Sequence, residues 1–216
     1  MSQSGAPKNL LPERTVERLS EYRRTLLSVL ECGHSHIYSH ELAGMHAITA
    51  VQVRRDLMLI GFSSDTKRGY DVSVLVDFIS TILDKPQGQK VVVVGMGNLG
   101  QAITHYFNGK RSRLHIVEAY DIDKQKVGKE IAGVMCCDIT DFTARAHQLK
   151  IDIVLLSCPQ EVALEIASVI KKSSVSGVLN FTGVPLNLGD RIFVEDYDII
   201  TLLEKVAYFA KNSAQQ

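Results

Sequence analysis

The stretch Val91-Val92-Val93-Val94-Gly95-Met96-Gly97-Asn98-Leu99-Gly100 decides the fold. A four-valine strand runs straight into a glycine loop that opens a helix. Gly95 permits the tight turn, Gly97 lets a pyrophosphate approach the backbone, and Gly100 lets the helix pack close to the strand. Phosphate groups would then face the unbonded N–H groups of the helix start, at Asn98 and Leu99. An acid follows at the expected distance. Asp121 stands 21 residues beyond Gly100, at the end of the second strand. A carboxylate there can accept both ribose hydroxyls of an adenosine and repel a 2′-phosphate, which predicts NAD(H) in preference to NADP(H). Asp123 is the alternative acid, and a bare turn after the strand is the bland reading of both.

Working outward, the sharpest shift in composition falls at Asp84-Lys85-Pro86-Gln87-Gly88-Gln89, a polar run with Pro and Gly. It predicts domains at 1–86 and 87–196, with a terminal segment at 197–216. Beyond the boundary, strand-like runs at Val91–Val94, Leu114–Ala119, Ile153–Ser157 and Gly177–Leu179 alternate with helical patterns at Leu99–Phe107, Phe142–Leu149 and Glu161–Ile170. Such alternation argues for an α/β fold, a Rossmann-like parallel sheet with crossover helices. Asp198 to Lys211 reads as one more amphipathic helix. One sheet uses up this second domain. No second lobe is left to hold an acid or base against a nicotinamide, so the expectation is a sensor, with no catalytic residues.

Before the boundary the pattern is helical. Val16, Leu19, Tyr22, Leu26, Leu27 and Leu30 recur at three- and four-residue steps after Pro12-Glu13, and Gly33 closes the helix. Ser39 is the expected N-cap of a short second helix, and Thr49 that of a third, ending near Ile60-Gly61. A basic polar loop, 63–69, and a fourth helix, Val72–Leu83, complete a winged helix-turn-helix. On the third helix Gln52, Arg54 and Arg55 could enter a major groove, while Lys67 and Arg68 reach the backbone or minor groove. The local excess is only two charges, since Asp56 and Asp65 offset part of the four cations. A solvated helix face beside a loop is the competing reading. The whole chain, with 24 basic and 24 acidic residues among 216, carries no global field to attract nucleic acid.

The remaining signals are exclusions. No apolar run approaches the ~18 residues of a membrane span, and the start shows no signal-peptide pattern. Four cysteines at irregular spacing do not form a secreted framework, so reduced thiols and a cytoplasmic location are expected. His34, His36, His40 and His46 lack partners at metal-ligand spacing and are expected on a solvated surface. Cys136 and Cys137 fall on a strand. Cys158 should lie near the dinucleotide, with burial its default state.

The order of motifs carries a resemblance. Helix-turn-helix, then Arg68-Gly69-Tyr70-Asp71-Val72, then Val-Gly-Met-Gly-Asn-Leu-Gly-Gln-Ala resembles the Rex family of redox-sensing transcriptional repressors. So do Thr15–Tyr22, Val53-Arg54-Arg55-Asp56-Leu57, Val178-Leu179-Asn180-Phe181 and Tyr197-Asp198-Ile199, spread over nearly the whole chain. The resemblance implies a homodimer with winged helices, Rossmann domains and a C-terminal helix swapped into the partner subunit. It implies repression at palindromic operator DNA, with release when NADH rises relative to NAD⁺. It assigns the switch to positions matching Arg18, Tyr106 and Asp198. The aspartate pairs with the arginine in the DNA-bound form and with the tyrosine in the NADH form. Ile199 matches an apolar residue placed beside the partner's nicotinamide. The wing departs from the family's usual Arg-Gly-Val-Gly-Tyr, because Arg68-Gly69-Tyr70 is two residues shorter. Two rival readings remain: a small NAD-dependent oxidoreductase using Tyr106 or Cys158 for proton transfer, and a nucleotide-sensing adaptor without DNA binding.

Overall fold

The computed structural model describes residues 10–63, 68–107 and 113–213. Its chain divides into two units, Met1–Pro86 and Gln87–Gln216.

In the first unit, α1 (Glu13–Glu31) buries Leu19, Tyr22 and Leu26 completely, the residues at three- and four-step spacing. They pack with Leu42 of α2 (Ser39–Met45), Val53 and Leu57 of α3 (Ala50–Leu59), and Leu75 and Ile79 of α4 (Val72–Leu83). Each such burial contributes on the order of 2 kcal/mol. Two caps fix where helices begin: the Thr49 hydroxyl accepts from the Gln52 N–H at 3.1 Å, and Asp71 accepts from the Val74 N–H at 3.0 Å. The second helix corrects the expected cap. It starts at Ser39 itself, because Glu41 reaches back to the Tyr38 N–H at 2.7 Å and closes the turn from within. Strands β1 (His36–Ile37) and β2 (Tyr70–Asp71) pair antiparallel, His36 opposite Asp71, and frame the wing.

The second unit is a seven-stranded sheet. Its strands are β3 (Gln89–Val94), β4 (Leu114–Asp121), β5 (Glu130–Ile131), β6 (Val134–Asp138), β7 (Ile153–Leu156), β8 (Gly177–Asn180) and β9 (Phe193–Asp196), in the order β5-β6-β4-β3-β7-β8-β9. Every pair except β5–β6 is parallel. Counted without the short β5, the order is the doubly wound 3-2-1-4-5-6, in which the chain leaves β3 for opposite sides of the sheet. Helices α5 (Asn98–Phe107), α6 (Phe142–Leu149) and α7 (Gln160–Lys171) connect the strands. Val91–Val94 is buried along its length, feeding alternately into two apolar clusters, Val92 and Val94 into one and Val91 and Val93 into the other. The last helix, α8 (Ile199–Ser213), differs from the rest. Every side chain from Ile199 to Lys211 is exposed, Ile200, Leu203, Val206 and Phe209 among them.

Among the described residues no helix is long and apolar enough to cross a membrane. The caps carry a prediction. Thr49→Ala removes the acceptor at the start of α3 and should destabilise the first unit by about 1 kcal/mol in urea unfolding followed by circular dichroism.

Candidate functional site

The centre of the second unit is the crossing from β3 into α5. Gly95 has φ +98°, and a Cβ there would stand 2.7 Å from the Cys158 nitrogen. A Cβ on Gly100 would stand 2.1 Å from the Gly95 carbonyl oxygen, so the helix rests directly on the strand end. The Ser157 hydroxyl donates to that same carbonyl at 2.9 Å. Gly97 is the opposite case, with open space where its side chain would be. Its carbonyl accepts from the Gln101 N–H at 3.0 Å, so α5 starts beside it, and first-turn N–H groups have no carbonyl of their own helix to bond. The loop thus presents bare backbone donors at an unobstructed point, which fits a pyrophosphate.

A cleft of about 560 Å³ opens there, within the size range of ligand sites. Gly95, Gly97, Asn98, Leu99 and Asp121 all line it, while Gly100 lies beneath as a spacer. Asp121 ends β4 and is 8% exposed. Its Oδ2 accepts from the Met96 N–H at 2.9 Å and from Lys126 Nζ at 2.8 Å, and its Oδ1 accepts from the Asp123 N–H at 2.9 Å. Burial works to raise its pKa, but the Lys126 ammonium and the two backbone donors outweigh it and hold the carboxyl below the usual carboxylate range. Asp123 lines the cleft as well, but it is more exposed and braces its own turn by accepting from the Gln125 N–H at 2.9 Å. A carboxylate accepts about four hydrogen bonds. With three already made, one acceptor position on Asp121 is left open.

Across β3, the cleft walls are Pro159, Val162, Ile166 and Phe181. Cys158 also lines it, and burial pushes its thiol up to about 11, so it stays a protonated apolar wall near neutral pH. Cys136 is likewise raised to about 11 by burial, whereas Cys32 is exposed at the end of α1. The Phe181 ring meets Tyr197 edge-on at a centroid distance of 5.4 Å, and Tyr197 directly precedes Asp198 and α8.

In the first unit, α3 presents Val51, Arg54, Arg55 and Met58 outward, at the spacing of one helix face. Arg54 is oriented by donating to the Ser39 hydroxyl at 3.0 Å. Gln52 is turned inward, its amide donating to Asp56 at 2.9 Å. Arg68 is exposed, and Lys67 lies outside the described residues. Asp56, only 1% exposed, is the polar centre of this unit. The Arg18 guanidinium grips both its oxygens at 2.7 Å, and the Tyr22 hydroxyl donates at 2.9 Å. Burial would raise the Asp56 pKa, but these donors prevail and lower it, while burial and the adjacent carboxylate push the Tyr22 hydroxyl up. Of the histidines, His34, His36 and His40 are exposed, but His46 is half-buried, beside the Thr25 hydroxyl at 3.1 Å and edge-on to Tyr22. Among the described residues no group of three or more His, Cys, Asp or Glu is placed to hold a metal.

Comparisons with known proteins follow the same division. A family model described as a CoA binding domain matches residues 87–184, and one described as a putative DNA-binding protein N-terminus matches residues 11–57. A protein of Bacillus cytotoxicus named redox-sensing transcriptional repressor Rex is 32% identical over 95% of this chain and 98% of its own. A protein of the same name from Leuconostoc citreum is 32% identical over 94% of each. The chain belongs to the Rex family.

Solved Rex-family structures agree. The chain is similar to RSP, a Rex-family repressor, in complex with NAD⁺ and operator DNA (TM-score 0.88, 27% identity, 96% of each chain), and to RSP with NADH (TM-score 0.84, 27% identity, 96% and 98%). Against that background the positions taken from the Rex resemblance can be located. Arg18 is held by Asp56 on α3. Asp198 caps α8, accepting from the Ile200 N–H at 2.9 Å and the Thr201 hydroxyl at 2.7 Å. Tyr106, on α5, is 70% exposed, and neither it nor Ile199 lines the cleft of its own chain. Sequence reasoning passed over Ser157, Lys126 and Phe181. Ser157 follows the strand beside β3, a position that could have flagged it. Nothing in the spacing pointed to the other two.

The Asp56 cluster gives a pH prediction with a definite sign. A lowered carboxyl stabilises the folded state fully above its ordinary value of 3.8 and loses that contribution as pH falls through the lowered one. Asp56→Asn should therefore destabilise the first unit by about 3 kcal/mol at neutral pH. The gap to wild type should narrow as the pH of the urea titration is taken below about 3.8.

Proposed function

We propose that the chain is an NADH-responsive transcriptional repressor, not an enzyme, that binds palindromic operator DNA and leaves it when NADH binds. One observation carries the reading: a dinucleotide cleft with its glycine crossing and acid is joined, on a single chain of the Rex family, to a helix-turn-helix whose third helix turns Arg54 and Arg55 outward. Gly95, Gly97, Asn98, Leu99, Gly100 and Asp121 hold the adenosine and pyrophosphate in either redox form. Those contacts give affinity and no discrimination, since a ligand with equal affinity for two states shifts neither.

The discrimination lies at the other end. NAD⁺ carries a cationic ring and NADH a neutral one. Walls of Pro159, Val162, Ile166 and Phe181, with a protonated Cys158, favour the neutral ring, because burying an unpaired charge is costly. The exposed apolar face of α8 supports a homodimer in which this helix docks on the partner and sets Ile199 beside the partner's nicotinamide. Phe181 packs against Tyr197, so occupation of the cleft bears directly on the start of α8. Arg18, Tyr106 and Asp198 are the switch positions, with the aspartate exchanging partners as the dimer closes. Closure alters the separation of the two α3 helices, and a palindrome demands a fixed half-site spacing. Arg54, Arg55, Lys67 and Arg68 make the DNA contacts, with Gln52 bracing α3 through Asp56. A protein that represses transcription, as its bacterial relatives are named for doing, would work in the cytoplasm.

The reading against an oxidoreductase rests on the cleft's chemistry: the Cys158 thiol, held to about 11, is a poor proton relay near neutral pH. The test is to titrate NADH and NAD⁺ into the protein bound to a fluorescent palindromic duplex. NADH should release the DNA at concentrations where NAD⁺ does not. No binding to any duplex at low salt would favour a protein-binding adaptor, and NADH oxidation with a carbonyl substrate would favour an enzyme.

A further inference from the structure

From the hydrogen bonds around Asp121 we infer that Lys126 is the second ribose ligand of the cleft and the residue that sets how strongly a 2′-phosphate is refused. The inference rests on the nucleotide reading above and extends it. An adenosine ribose offers two hydroxyls. Asp121 Oδ2 is filled by the Met96 N–H and Lys126 Nζ, and Oδ1 by the Asp123 N–H with one position left. One hydroxyl therefore has a carboxylate oxygen to donate to, and the other needs a different partner.

Lys126 supplies it. Its ammonium carries three donors and no acceptor, and one donor is engaged at 2.8 Å on Asp121. Asp123 Oδ2, at 3.9 Å, is too far to take a second as a hydrogen bond. The side chain is 30% exposed and lines the cleft, so a remaining donor can turn to a ribose oxygen sitting next to the acid. Acid and ammonium then form a composite clamp in which the carboxylate receives one hydroxyl proton and the lysine bonds the neighbouring oxygen.

The charge consequence follows. Lys126 is the one cation among the described cleft-lining residues, set between two carboxylates. A phosphorylated ribose, bringing close to two negative charges, meets Asp121 and Asp123 with this single ammonium as compensation. Removing the ammonium would cost an unphosphorylated dinucleotide one charge-assisted hydrogen bond. It would cost the phosphorylated one that bond and the one cation facing its extra phosphate among the described cleft residues.

The experiment is a fluorescence titration of NADH and NADPH on the full-length protein, its Lys126→Met variant and its Lys126→Arg variant, with thermal melting as the check on folding. Lys126→Met should weaken NADH about tenfold and NADPH by at least about a further tenfold, while Lys126→Arg stays within about threefold of wild type for NADH. Wild-type affinity for both coenzymes in Lys126→Met, or an unchanged NADPH-to-NADH ratio, would overturn the inference while leaving the nucleotide site standing. If wild type itself binds neither coenzyme, the site reading falls and the inference with it.

Discussion

The structure turns on one contact between backbones. At the end of β3 the carbonyl of Gly95 lies where a side chain on residue 100 would have to be, and the Ser157 hydroxyl fastens that carbonyl from the next strand. Because α5 can sit down on the strand end, its first turn faces outward over the sheet at the point where the chain departs to either side. Asp121 on β4 and the apolar walls after β7 and β8 fall on opposite flanks of that point by topology alone. A methyl group at Gly100 would lift the helix, and one at Gly95 would press on the Cys158 backbone across the cleft.

That geometry separates two tasks. One flank is polar and already well bonded before any ligand arrives: Asp121 holds its loop with three hydrogen bonds, and this preorganisation lowers the ordering cost of binding. The other flank is apolar and passes, through the Phe181–Tyr197 ring contact, to the root of a helix whose apolar face finds no cover among the described residues. Under the proposed function, affinity and switching fall to different strands. In the first unit the buried Asp56 ties α1 to α3, so the two helices move as one piece.

Much of this was written in the sequence because it rests on hard backbone constraints. Valines followed by spaced glycines specify strand, turn and close-packed helix, and the cap at Thr49 marks a helix start by simple chemistry. What escaped had softer signals. Strand β9, Phe193–Asp196, is largely exposed and shows no apolar alternation, and the β5–β6 hairpin is short and turns through Ala132 and Gly133 at positive φ. The Ser39 cap was misread because the helix begins one residue earlier, with Tyr38 as the cap residue and Glu41 accepting from its N–H. At the site, the motif named Asp121 but could not show that its oxygens were already engaged, nor that a lysine five residues on folds back to it. Nor could helix spacing show that the Gln52 amide would reach Asp56 four residues later.

The central claim is that an uncharged nicotinamide closes a shared apolar cleft and that closure changes the distance between the two DNA-reading units. Cys32 is exposed and is the only cysteine of the first unit, which makes it a natural spin-label site once Cys137 is replaced by serine. Pulsed electron resonance would then read the Cys32–Cys32 distance across the dimer with saturating NAD⁺ and with saturating NADH. The account predicts two distinct distance distributions, with only the NAD⁺ one matching the DNA-bound protein. Superimposable distributions would contradict it.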